Sequence, residues 1–82
     1  MRFRKKPVEI KAVQITPGND EKMLEFMAET KCPFEIVGYY EMVIHTLEGD
    51  MHLSTDHWLI QGLAGEFYPC NPDIFQSSYE AI

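Results

Sequence analysis

Beyond Lys31 this chain has no lysine and no arginine. Its seven bases (Arg2, Arg4, Lys5, Lys6, Lys11, Lys22 and Lys31) share the first 31 positions with five acids, for a net charge of +2. The remaining 51 residues hold eight acids and no base, net −8. A segment without cations has nothing to set against phosphate, so its composition argues against nucleic-acid binding there. The basic arm Arg2 to Lys6 carries one aromatic, Phe3. Four cations with one ring are a weak nucleic-acid footprint, so the arm reads as the start of an edge strand. The acidity first of all keeps a small protein in solution, and it also permits attraction to a basic partner.

Cysteine is scarce too. Cys32 and Cys70 stand far apart and form no C-x-x-C, which excludes a disulfide framework and predicts free thiols in a reducing compartment. No apolar run approaches the roughly 20 residues of a membrane helix. The start M-R-F-R-K-K-P is basic but leads into no apolar h-region, so an intracellular location is expected and no membrane partner. There is no internal repeat, low-complexity tract or interdomain linker. With 82 residues, 45% hydrophobic and 24% charged, the chain reads as one globular domain, 1–82. A domain of this size buries only about 60–65% of its unfolded surface, so each aromatic matters.

What is present alternates between strand and helix signals. Val8 to Thr16 reads as a strand with Val8, Ile10 and Ala12 on one face. The parity then slips at Val13 and Ile15, which asks for a bulge or for burial on both faces. Pro17-Gly18 ends it. Asn19 or Asp20 caps a helix whose stripe is Met23, Leu24, Phe26 and Met27, ending at Thr30-Lys31-Cys32-Pro33. Its methionines read as core fillers rather than ligands. Phe34 to Tyr40 reads as a strand bent near Gly38. In M-V-I-H-T-L-E-G-D-M-H-L-S, a turn at Glu48-Gly49 pairs His45 with His52 and Ile44 with Leu53. That register puts Met42, Ile44, Met51 and Leu53 on one face and His45, Asp50 and His52 on the other. Trp58 to Gln61 and Glu66 to Tyr68 form a second hairpin across G-L-A-G, with Pro69 ending a strand or lying on an edge. Pro72 opens one helical turn through Phe75. Gln76 to Ala81 is expected to return as a final strand anchored by Tyr79. The predicted fold is α+β: one helix packed on a bent, mostly antiparallel sheet, a small roll or half-barrel.

The opening R-F-R-K-K-P-V-E-I-K-A-V-Q, with T-L-E-G-D-M, W-L-I-Q-G and G-E-F-Y-P-C-N-P-D-I-F-Q-S-S-Y-E, resembles a family of small tailed-phage and prophage proteins. The family's C-terminal signature runs G-D-W/Y-I-I-x-G-x-x-G-E-F-Y-P-C-x-P-D-I-F-x-x-x-Y-E, and the likeness spans nearly the whole chain. One departure is plain. The family has P-G-D before the aromatic, whereas this chain has Thr55-Asp56-His57 before Trp58, which puts the tight glycine turn in doubt. The resemblance implies a phage-encoded protein made in the bacterial host cytoplasm, and it carries no catalytic residue or cofactor.

Four constellations have chemistry to offer. His45 and His52, opposed across a hairpin, are candidate metal ligands that Asp50 or His57 would complete. No H-E-x-x-H or paired C-x-x-C supports them, and two polar residues on a wet strand face is the better reading. Cys70 as a nucleophile lacks a base at readable spacing. Glu66 and Asp73 are two acids among thirteen and identify no carboxylate catalysis, and no G-K-S/T follows Gly62 and Gly65 to make a phosphate loop. The last is aromatic: Trp58, Tyr68, Phe75 and Tyr79, beside Phe67 and Tyr39-Tyr40, are too many rings for so small a core to cover, which points to a binding surface. The reading is a phage accessory protein that acts by binding, with no catalysis evident and no cofactor. Its partner would be a host or defence protein, or a small ligand at the subunit interface of a homo-oligomer. A small metal-dependent enzyme using His45 and His52, or a minor virion component, are the alternatives.

Overall fold

The computed structural model describes residues 1–3 and 9–79. Val8, the arm beyond Phe3 and the end of the expected C-terminal strand lie outside them. Among the described residues six strands and two helices follow in the order β1 (Lys11–Gln14), α1 (Asp20–Thr30), β2 (Phe34–Gly38), β3 (Glu41–Thr46), β4 (Gly49–Leu53), β5 (Trp58–Gln61), β6 (Phe67–Cys70) and α2 (Pro72–Ser78). The expected α+β class holds, with antiparallel pairing throughout. The strands divide into two three-stranded sheets, ordered β1-β5-β6 and β2-β3-β4.

Alternation along the strands places the core between the sheets and α1. Val13, Ile15 and Leu59 from the first sheet meet Met42, Ile44 and Leu53 from the second, and Phe26 and Met27 of α1 close the cluster with Cys32. Val13 faces the core from β1 and Ile15 does so just past its end, so the parity slip at Val13 needs no bulge. The pairing Lys11↔Gln61 through Gln14↔Trp58 is regular, with Val13 buried on the core face and Ala12 and Gln14 half-buried on the other. On the other face Ile60 is fully buried yet stands apart from the main cluster. The ladder continues past the strand ends as Ile15 N–H donates to His57 O at 2.9 Å and Asp56 N–H to Ile15 O at 2.7 Å.

The β3–β4 hairpin differs from the expected register. The pairs are Met42↔Leu53, Val43↔His52, Ile44↔Met51, His45↔Asp50 and Thr46↔Gly49, with Leu47-Glu48 in the turn. A type I′ turn at Glu48-Gly49 would need positive φ at both residues, which a glutamate disfavours. Here Gly49 alone takes it, at φ 116°, and Thr46 Oγ1 accepts from Glu48 N–H. Sliding the turn by one residue changes each partner by two, so every side chain keeps its face. The predicted apolar face survives, but His45 no longer opposes His52.

Three further differences have local causes. β2 stops at Gly38 because Tyr39-Tyr40 makes a two-residue turn, with Tyr40 at φ 49°, and the bend is a register shift between Ile36 and Gly38. Gln76 to Ser78 are helical rather than extended. Asn71 caps α2, its Oδ1 accepting from Asp73 N–H at 2.8 Å with Pro72 in the first turn, and Tyr79 N–H closes on Phe75 O. The tight turn before Trp58 is kept without glycine. Asp56 sits at φ 73° inside the Ser54–His57 turn, and its carboxylate accepts from Thr16 Oγ1 at 2.7 Å. Pro69 lies on β6, an edge strand, as its missing amide requires.

Candidate functional site

The aromatic residues singled out in the sequence do come together. Phe75 of α2 stacks on Trp58 with ring centroids 3.9 Å apart and planes 6° apart, and Tyr79 stacks on Phe75 at 5.0 Å. Burial first, and then the neighbouring Tyr79 hydroxyl, push the Tyr68 phenol up to about 12, so it stays protonated. All four residues are half-buried. Trp58, Ile60 and Tyr68 share one sheet face by alternation, and Phe75 covers it, so these rings serve largely one another as a second, smaller core.

The histidines do not converge. His45 Nδ1 lies 2.7 Å from Asp50 Oδ1, while its Nε2 lies 3.5 Å from Glu35 Oε1. The two carboxylates sit on opposite sides of the ring and cannot share one cation with it. The hydrogen bond to Asp50, followed by the Asp50 and Glu35 charges, raises the His45 pKa. His52 instead faces Glu41 at 3.6 Å. Among the described residues no three His, Cys, Asp or Glu side chains are grouped to hold a metal ion. His57 Nδ1 lies 3.2 Å from Ser54 O, within its own turn. Burial pushes the Cys32 thiol up to about 11; Cys70, half-buried, lies with its Sγ 3.6 Å from the carbonyl of Asn71.

An exposed apolar groove lies elsewhere, beside α1. The helix stripe predicted to be core splits: Phe26 and Met27 are buried, but Leu24 is 67% exposed. It points to a groove of about 370 Å³ between α1 and β2, whose walls include Met23, Phe34, Ile36, Tyr39 and Met42. Every residue of β2 is exposed, Ile36 at 63%, and Tyr39 beyond it at 77%. The groove's two charged lining residues, Asp20 and Glu41, are both acidic. At its end Tyr40 Oη donates to Asp20 Oδ1 at 2.6 Å, tying the first turn of α1 to the β2–β3 turn and raising the Tyr40 pKa chiefly through that bond. Tyr39 meets Tyr40 edge-on at 4.7 Å.

Among the described residues no strand pairs with the outer side of β2, and the direction of its backbone groups follows from its ladder with β3. His45 N–H donates to Pro33 O at 3.0 Å, so Pro33 and, two residues on, Glu35 direct their backbone groups toward β3. Phe34 and Ile36 therefore direct theirs outward. Natural edges are blunted by lysine, proline or a covering element, and the stretch F-E-I-V-G carries only Glu35 and a bulge. Leu24, Ile36 and Val37 were not identified from the sequence as a surface. The usable signal was an α1 stripe wider than one core face, followed by a strand without a gatekeeping cation. No protein-family model, no curated protein and no solved structure matches this chain.

Proposed function

We propose that this chain works as a binding module that takes an extended polypeptide segment along β2, seating its apolar side chains in the groove beside α1. One observation carries the reading: a strand edge unpaired among the described residues, with outward backbone groups at Phe34 and Ile36, runs beside an exposed apolar groove. Strand addition supplies affinity through main-chain hydrogen bonds and specificity through alternate side chains, and it asks for both features together. The paired histidine face offers polar groups but no converging ligand set, so it supports neither metal hydrolysis nor nucleophilic chemistry. The resemblance to tailed-phage and prophage proteins gives the setting: a phage-encoded accessory protein acting in the bacterial host cytoplasm.

The test is an array of short synthetic peptides alternating apolar and polar residues, probed with the folded protein and with Leu24→Lys and Ile36→Lys variants. Peptides retained by the native chain should be lost from both variants, while His52→Gln on the opposite sheet face keeps them. Retention that survives both groove substitutions refutes the reading, as does no retention at all at concentrations where the chain is monomeric.

A further inference from the structure

We infer that the segment seated on β2 is the N-terminal arm of a second copy of this chain, an inference that rests on the binding reading above. A strand pairing with the outward groups of Phe34 and Ile36 must place two residues opposite them and one between, opposite Glu35. Residues opposed across a ladder share a sheet face. The flanking pair would therefore lie on the groove side with Phe34, Ile36 and Leu24, where apolar side chains are wanted. The middle residue would lie beside Glu35, whose surroundings on that face include Asp50, Glu41, His45 and His52. The required segment is apolar–basic–apolar.

Met1-Arg2-Phe3 has that sequence. Both apolar residues are open to solvent in the single chain, Met1 at 109% and Phe3 at 90%, so its own fold leaves them uncovered. In antiparallel register, Met1 opposite Ile36 and Phe3 opposite Phe34 set Arg2 across from Glu35 in the close, non-hydrogen-bonded pair. The charge division of the chain acquires a reason. Four of its seven cations lie in the arm, while the accepting edge carries Glu35 and the groove beside it Asp20 and Glu41. Direct β2–β2 pairing centred on Glu35 would instead oppose two like charges. Reciprocal exchange of arms closes a two-fold dimer and leaves no β2 edge open.

Sedimentation velocity of the full chain over a concentration series tests this. The native protein should show a monomer–dimer equilibrium. Arg2→Glu and Glu35→Arg should each weaken dimerisation about tenfold or more, because like charges then face each other in the close pair. The Arg2→Glu/Glu35→Arg double variant should restore it, which a folding defect would not do, and circular dichroism melts of each variant confirm the fold. A native chain that stays monomeric, or single variants that dimerise unchanged, overturns the inference. If the peptide array still gives groove-dependent binding in that case, only self-docking fails. If the array is silent as well, the binding reading fails with it.

Discussion

Phe75→Ala should detach α2 from the first sheet, and the size of the effect can be worked from the stack. Phe75 lies parallel to Trp58 at 3.9 Å and carries Tyr79 at 5.0 Å on its other side. Losing a half-buried phenyl forfeits about 1–1.5 kcal/mol of transfer free energy, half the value for full burial. Each aromatic pair adds about 0.5–1.5 kcal/mol beyond area. The total is roughly 2–4 kcal/mol, below the roughly 3–5 kcal/mol of a fully buried phenylalanine. A domain of this length has only about 4–12 kcal/mol in all. At about 4–8 °C per kcal/mol, the melting temperature should fall by roughly 8–30 °C. Trp58 is the only tryptophan, so its emission reads this one contact, and it should shift to the red as the indole face becomes wet. Phe75→Leu keeps apolar volume but not the stack and should lose roughly half as much. Unchanged emission and melting in Phe75→Ala would show that α2 is not held through Trp58.

Three further outcomes follow from groups already placed. The raised His45 pKa means its interaction with Asp50 and Glu35 stabilises the fold fully below the unfolded value near 6.5 and is lost as pH rises through the higher folded value. Denaturant melts at pH 5.5 and 8.5 should show this loss, and His45→Gln should flatten it; an unaltered slope in the variant refutes the assignment. Asp56→Val puts a β-branched residue at φ 73° and removes the acceptor for Thr16, so it should destabilise by about 2–4 kcal/mol in urea unfolding, with no change refuting the strained-turn reading. Under native conditions at pH 8, iodoacetamide should label Cys70 well before Cys32, whose thiol is buried and held protonated; equal labelling by mass spectrometry would contradict that burial.

Some of this was legible in the sequence and some was not, for identifiable reasons. The apolar face of the β3–β4 hairpin was readable because its pattern has period two. The register was not, because a shift of two preserves that pattern and only turn chemistry at Leu47-Glu48-Gly49 decides it. The change of buried face along β1 shows as a parity slip, but its cause depends on the pairing with β5, more than 40 residues away. Gln76 to Ser78 has no strong local preference, and the cap at Asn71 with the stack on Trp58 makes it helix. The aromatic cluster was found by counting rings, although that count could not say they would cover one another. The groove is not legible in the sequence because Leu24 and Ile36 look like core residues until the helix and edge strand are set side by side.

The pairing of β1 with β5 also governs how the molecule can be made. Their partners stand 44 to 50 residues apart, with α1 and the whole β2-β3-β4 meander between them. The meander is local and can close on itself as soon as it is synthesised, whereas β1 must wait for β5 and close a long loop. At about 5–20 residues per second, translation leaves β1 without its neighbour for roughly 2–10 s. During that interval Val13 and Ile15 have no sheet to enter. A chaperone that holds nascent apolar segments would find its target in this first strand, and moving the strand behind β6 by circular permutation should shorten both the wait and the refolding time.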